Sequence, residues 1–143
     1  MTPVWLPDDV GLTYLLPRLG MDELYGPSKC LGALDADMRL RGVCAIHDFQ
    51  PTYGRCEISC AIDTPRVMTK RVMVVLFDYI FRELDCQLAI TKSDHQNHSG
   101  HSFLRRLGGG SVTIPRGRGI DTDEVVSTLT KEQWESFRDG KYR

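Results

Sequence analysis

An amphipathic helix held between two short apolar runs constrains this chain more than any other feature. From about Thr69 to Leu84, the residues Met73, Leu76, Phe77, Ile80, Phe81 and Leu84 recur at three- and four-residue spacing, the period of a helix with one apolar face. Thr69 stands where an N-cap belongs, and Pro65 restricts the backbone just before it. Upstream, residues 56–63 read as a strand, with Glu57, Ser59 and Ala61 on one face and Ile58, Cys60 and Ile62 on the other. Downstream, residues 86–91 read as a second strand. Two strands joined through a helix need a crossover, so they pair in parallel. The helix then buries its stripe against that sheet.

The flanking segments add antiparallel pairs. Residues 29–34 and 42–49 read as strands joined through Asp35-Ala36-Asp37-Met38, a hairpin, with a turn at Pro51-Thr52-Tyr53-Gly54. A second helix is expected over 97–107, with Phe103, Leu104 and Leu107 as its stripe and Gly108-Gly109-Gly110 as its end. Residues 111–114 and 124–129 form a terminal strand pair around a loop at 115–119. Thr130 and Gln133 fit a capping box that opens a last helix at 134–137. The first 27 residues are least legible: Asp8 or Asp9 caps a short helix through Leu16, stopped at Pro17, and Tyr25-Gly26-Pro27 is a turn. The sum is a mixed sheet flanked by helices, an α+β fold of α/β-like character, in one domain spanning residues 1–143.

Charge and cysteine content narrow the function. The net charge is −1, from 18 basic and 19 acidic residues, so there is no global attraction to nucleic acid or anionic membrane. No apolar run approaches the roughly 18–20 residues that cross a bilayer. The N-terminal residues lack the basic start and apolar stretch of a signal peptide. Five cysteines without a CxxC motif argue against a disulfide framework and a zinc site. A cytoplasmic protein with buried, reduced thiols is expected.

Two segments carry candidate chemistry. The turn from Asp63 to Arg71 joins a strand end to a helix N-terminus, where amides and the helix dipole attract anions, and Arg66, Lys70 and Arg71 add three cations. It reads either as a pyrophosphate site or as a solvated basic first turn. It lacks the spacing of a Walker loop or a dinucleotide fingerprint. The other segment runs from Asn97 to Gly108, and Asn97 is either a helix cap or a ligand contact.

Together these segments resemble the GNAT superfamily of N-acetyltransferases. That family's first motif is an arginine-led turn, matched by Arg66-Val67-Met68-Thr69-Lys70-Arg71. Its second begins with an asparagine, matched by Asn97, with Gly100 at the small position, Leu104 at the tyrosine position and Gly108 at the glycine. The stretch from Val125 to Trp134 is similar to the end of the ribosomal-protein acetyltransferase branch. With His47-Asp48-Phe49-Gln50-Pro51 it also resembles small phage and prophage members. The resemblance implies a GNAT fold with a splayed parallel strand pair and acetyl-coenzyme A (acetyl-CoA) as cofactor. It implies cofactor contacts from Ala61, Ile62 and Asp63 at the strand end, from Arg66, Met68, Thr69, Lys70 and Arg71 in the turn, and from Asn97 and Leu104. Thr69 and Arg71 replace the family's usual glycines, and Leu104 replaces a tyrosine that often protonates the departing thiolate.

Acetyl transfer by direct attack needs a neutral amine, and only about one lysine amine in 10³ is neutral at pH 7. A base therefore helps. Glu57 is the candidate, because a mid-strand carboxylate is unexpected and related enzymes often carry a glutamate there; the competing reading is a cross-strand ion pair. His47 and Asp48 are substrate-side candidates. His95, His98 and His101 lack metal-ligand spacing and read as a solvated helix face, so no metal is expected. The acceptor is a protein N-terminus, a lysine or a small amine, with a host protein among the candidates. A homodimer is expected from the family. The rival reading is a GNAT-like binding protein without catalysis, which the missing glycines and tyrosine favour. Nucleic-acid contact through Arg105, Arg106, Arg116 and Arg118 is disfavoured by the net charge.

Overall fold

One short parallel ladder joins two antiparallel halves of a seven-stranded sheet. A computed structural model describes residues 1–24 and 26–141. In chain order the elements are β1 (Thr2–Leu6), α1 (Asp8–Leu19), β2 (Ser28–Leu34), β3 (Leu40–Gln50), β4 (Arg55–Ile62), α2 (Lys70–Asp78), β5 (Leu88–Asp94), α3 (His98–Arg106), β6 (Gly110–Gly119), β7 (Thr122–Thr130) and α4 (Lys131–Lys141). The sheet order is β1-β2-β3-β4-β5-β7-β6. Every neighbouring pair is antiparallel except β4 and β5.

The expected crossover is present, and its two strands soon part. Arg55 lies opposite Leu88, Cys56 opposite Ala89 and Glu57 opposite Ile90, and there the ladder ends. Beyond it β4 stays with β3 as far as Ile62. β5 stays with β7 as far as Asp94. A wedge-shaped gap therefore opens toward the C-terminal ends of β4 and β5, as the splayed strand pair of the GNAT fold requires.

The helices cover both faces. On one, the α2 stripe of Met73, Leu76 and Phe77 packs with Cys44, Ile46, Ile58, Ala89 and Leu129, and Trp134 of α4 closes the layer. The Phe77 and Trp134 ring centroids are 4.9 Å apart. On the other, Tyr14 and Leu15 of α1 pack on Cys30, Val43 and Ala45. A Cβ on Gly11 would lie 2.4 Å from the Cys30 Cβ, so α1 approaches the sheet closely only because that position is glycine.

Thr69 caps α2, its hydroxyl accepting from the Val72 amide at 3.4 Å. The helix does not continue unchanged to Leu84. Residues Tyr79–Glu83 widen into a π turn, in which the Leu84 amide donates to the Tyr79 carbonyl at 2.9 Å. The extra residue keeps Ile80 and Phe81 buried while the chain turns at Asp85, φ +54°. The capping box is also present. The Gln133 amide donates to the Thr130 hydroxyl at 3.1 Å, and the Thr130 amide donates to Gln133 Oε1 at 2.9 Å. The helix it opens runs to Lys141.

Several expectations need correction. β1 is not legible in the sequence, since it is short and contains Pro3; at a sheet edge proline is tolerated. α1 starts after Pro7 with Asp8 and Asp9 in its first turn, and it continues through Pro17 to a left-handed Gly20. Pro17 is exposed in the last turn, so little packing opposes it. The turn expected at Tyr25-Gly26-Pro27 falls partly on Tyr25, outside the described residues. The expected loop at 115–119 is strand: β6 runs to Gly119 with a register break, and Arg116 has φ +61°. β6 is the exposed sheet edge, where a proline and a bulge are admitted. All five cysteines are free. Among the described residues, no helix is long and apolar enough to cross a membrane.

Truncating the buried ring of Phe77→Ala should cost roughly 3–5 kcal/mol. Val112→Ala on the exposed edge strand should change stability by no more than about 0.5 kcal/mol. Denaturant unfolding of both variants checks the contrast; equal effects would contradict the assignment of the core to the α2 face.

Candidate functional site

The basic turn lies where β4 ends. Residues Pro65–Val67 form one turn of 3-10 helix before α2. Four amides are taken up inside it. Arg66 donates to the Thr64 hydroxyl at 3.4 Å, Val67 to the Thr64 carbonyl at 3.1 Å, Met68 to the Pro65 carbonyl at 3.4 Å and Thr69 to the Val67 carbonyl at 2.9 Å. Lys70 and Arg71 occupy the first two positions of α2, whose amides have no acceptor within the helix itself. The side chains of Arg66, Lys70 and Arg71 are exposed, and no acidic residue shares that first turn. Met68 is different: its side chain packs against the core.

At the strand end, Ala61 packs toward α1 while Ile62 is exposed. The Asp63 carboxylate is a clamp. It pairs with Arg18 of α1 at 3.4 Å and with Arg41 of β3 at 3.8 Å. The buried Tyr14 hydroxyl faces it without forming a hydrogen bond of full geometry. That hydroxyl, followed by Arg18 and Arg41, holds the Asp63 carboxyl below its usual range. Burial, with Asp63 adding to it, pushes the Tyr14 phenol up to about 12.

Asn97 caps α3, its side-chain oxygen accepting from the Gly100 amide at 3.0 Å. A Cβ on Gly100 would lie 2.4 Å from Asn97 Nδ2, so the small position is small because the amide folds over it. Leu104 leaves the cofactor set. It has 0% exposure and packs in the main core, so the position aligned with the family's tyrosine points inward. On the splayed part of β5, the Thr91 and Ser93 hydroxyls are buried without a hydrogen-bond partner.

On the face of the sheet that carries Glu57, a pocket of about 400 Å³ is lined by Asp48, Gln50, Arg55, Glu57, Ile90 and Lys92, among others. The register builds it. His47 lies opposite Glu57, Ala45 opposite Ser59, and Glu57 opposite Ile90. Glu57 is 18% exposed and pairs with Lys92 at 3.6 Å, so the cross-strand ion pair is real. His47 is buried, at 4% exposure. Its Nδ1 lies 2.8 Å from Asp48 Oδ2 and its Nε2 lies 2.8 Å from Ser59 Oγ. Sequence reasoning places Ser59 beside Glu57 but gives it no role, and it misses Lys92, because register across strands decides both. His47, Asp48 and Glu57 also offer three ligand atoms within 4.8 Å of one another. Both His47 nitrogens already face protein partners, so the group is a hydrogen-bond network rather than an open metal site.

The remaining candidates lie apart from this pocket. His95 accepts from the Asp123 amide at 3.0 Å. His98 and His101 meet edge to face. Arg118 pairs with Glu124 at 3.3 Å, and Arg106 donates to the Ser102 hydroxyl at 3.0 Å.

Neither a family model nor a curated relative matches the sequence. Solved structures do. A mutant form of the spermidine/spermine N-acetyltransferase SpeG from Vibrio cholerae matches with a TM-score of 0.76, at 11% identity, over 94% of this chain and 97% of that one. A provisionally assigned acetyltransferase from T. thermophilus matches with a TM-score of 0.67, at 19% identity, over 87% and 68%. The chain has the GNAT fold. The seven-stranded mixed sheet and its four flanking helices are what the likeness rests on.

The charge clamp has a pH signature. The Asp63 carboxyl titrates lower in the folded state, so its contribution is present above about pH 4, the unfolded carboxylate value, and is lost as pH falls further. The Tyr14 phenol titrates higher when folded, so its contribution is present below about pH 10 and is lost as pH rises toward about 12. Tyr14→Phe should flatten the alkaline limb of a stability–pH curve, and Asp63→Asn the acid limb. Unchanged limbs in both variants would contradict the clamp.

Proposed function

We propose that the chain is an acetyl-CoA-dependent N-acyltransferase. The observation that carries this reading is the gap between β4 and β5, which opens beside the cationic N-terminus of α2. A pantetheine arm suits such a gap, where the open edge of β4 at Ala61 and Ile62 offers backbone groups. The orphaned hydroxyls of Thr91 and Ser93 border the same split and suit polar amides that would satisfy them. Arg66, Lys70 and Arg71 suit a pyrophosphate, with Thr69 holding the helix start and Asn97 fixing the start of α3. Bound there, acetyl-CoA would supply an acetyl thioester. Glu57 faces the pocket beyond the gap and is positioned to accept the proton of an attacking amine. Lys92 pairs with it at 3.6 Å and so holds the carboxylate at the pocket wall. Asp48 and Glu57 give the entry a place for a cationic amine to dock. The neighbour named as a spermidine/spermine acetyltransferase makes a small polyamine one acceptor to test, alongside a lysine peptide, a protein N-terminus and host proteins.

A second reading has its own observation. Four turn amides are satisfied internally, where the family's glycines usually bring backbone to phosphate. A binding protein without turnover follows if the remaining cations hold a ligand loosely.

Acetyl-CoA at 100 times its dissociation constant should add about 2.7 kcal/mol, which raises Tm by roughly 5–10 °C for a domain of this size. Arg71→Glu should abolish the rise. Glu57→Gln should keep it and slow amine acetylation about a hundredfold. Absence of any rise at millimolar acetyl-CoA would sink the reading; a rise with no turnover on any acceptor would select the second.

A further inference from the structure

The pocket beside Glu57 carries charges of both signs. Asp48 and Glu57 supply two carboxylates, Arg55 and Lys92 two cations, and the formal charges cancel. Each carboxylate commits one oxygen to a protein partner, Asp48 Oδ2 to His47 Nδ1 and Glu57 Oε2 to Lys92. The second oxygen of each has no partner among the described residues. Lys92 is therefore engaged, and Arg55 is not. Arg55 is exposed, its guanidinium carbon lies 5.2 Å from the Tyr53 ring centroid, and it has no acidic partner among the described residues. An aromatic face holds a guanidinium by its plane and leaves the N–H edges free to grip a carboxylate. Arg55 and Glu57 stand two residues apart on β4, so they share a face at about 7 Å spacing along the strand. Asp48 and Gln50 also line a second hollow of about 260 Å³, whose other walls are Gly26, Pro27 and Phe49. Phe49 offers it an exposed apolar ring.

We propose that the acceptor is a small zwitterion, an α-amino acid with an apolar side chain. The proposal rests on the acetyl-CoA reading for its acetyl donor and on the pocket's charges for its substrate. The α-amine meets the free oxygens of Glu57 and Asp48. The α-carboxylate meets the guanidinium fork of Arg55. The side chain lies against Phe49 and Pro27 in the second hollow. A polyamine matches this wall poorly, because its further ammonium groups face Arg55 and Lys92 rather than acids. An amine without a carboxylate leaves Arg55 unmatched. In the reaction the ammonium gives one proton to Glu57, which passes it to water. The nitrogen then bonds the acetyl carbon of the thioester, and the carbon–sulfur bond breaks. A second proton from the nitrogen goes to the departing sulfur, which leaves as a thiol, and the product is an N-acetyl amino acid. Acetylation removes the positive charge from the nitrogen. The product is an anion facing Asp48 and Glu57, and that mismatch favours its release.

Acceptors that differ only in the carboxylate test this. L-leucine against isoamylamine, and L-phenylalanine against phenethylamine, are compared by thiol release from acetyl-CoA, with spermidine as a further acceptor. Each amino acid should exceed its decarboxylated partner in kcat/KM by about tenfold to a hundredfold, the range of a charge-assisted hydrogen bond, and should exceed spermidine too. Arg55→Glu should reverse the order within each pair. Arg55→Lys should keep the order with a smaller ratio, since lysine retains the charge but not the fork. Both variants should keep the acetyl-CoA melting shift. Phe49→Ala should reduce the preference for L-phenylalanine over glycine. Calorimetric titration of L-phenylalanine without acetyl-CoA separates this inference from the reading beneath it. Binding that Arg55→Glu abolishes, in a chain with no acetyl-CoA melting shift, would support the zwitterion site and remove the cofactor reading. A melting shift with the decarboxylated amines or spermidine acetylated as fast as the amino acids would overturn the inference and leave the cofactor reading standing. A peptide N-terminus acetylated faster than every free amino acid would do the same. Absence of amino-acid binding and of any acceptor preference overturns the inference with or without a melting shift.

Discussion

The three residue pairs between β4 and β5 are the constraint on which the rest of the structure depends. Among the described residues they are the only parallel contact in the sheet, and they join a β1–β4 half to a β5–β7 half. A longer ladder would close the gap and satisfy the edge of β4 with backbone partners. A shorter one would leave the halves held together by helix packing alone. The π turn at Tyr79–Glu83 delivers the chain back to β5 at this register, and the Gln87 and Leu88 amides both donate to the Gly54 carbonyl, at 2.6 and 3.2 Å. That contact ties the start of β5 to the turn before β4. Gly54 has φ +63° there, which only a residue without a Cβ adopts easily.

The basic turn shows how a family position changes its physical role without losing its sign. Where the resemblance expects glycines, Thr69 caps α2 and Arg71 brings a cation. The internal hydrogen bonds of residues 66–69 make the turn self-sufficient. An anion there meets side-chain charge and the start of a helix dipole more than a cradle of amides. Side chains on long stems hold a phosphate with less geometric precision than fixed amides, and their attraction is more readily screened by salt. Affinity at this turn therefore depends on ionic strength more than on shape.

Local signals made most of the fold legible in the sequence. The α2 stripe, the Thr69 cap, the Thr130–Gln133 box and the β2–β3 hairpin each rest on neighbours within a few residues, and each is present. The elements that escaped depend on tertiary context. β1 is a strand because β2 offers it an edge, although Pro3 argues otherwise. β6 runs through Pro115 because its outer side faces solvent. The site divides in the same way. Cations in the turn are readable, since they are close in sequence. The meeting of His47 with Ser59 is not, since it needs the β3–β4 register, and a one-residue slip would send Ser59 to the opposite face.

The bulge at Asp48 is where local rule and global arrangement disagree. An aspartate tolerates left-handed backbone better than most residues, but the conformation is still unfavourable, by about 1 kcal/mol or more. The register break also forfeits ladder hydrogen bonds next to it. What the chain gains is a hydrogen bond from an imidazole to a carboxylate that is itself half exposed, 56% by side-chain area. A hydrogen bond to a charged acceptor contributes about 1.5–3 kcal/mol, comparable to both losses together. A glycine or asparagine would make the same bulge without placing a carboxylate on Nδ1. Gain and loss therefore come close to cancelling, and what the bulge fixes is the orientation of the buried His47 ring, with Nδ1 on Asp48 and Nε2 toward Ser59.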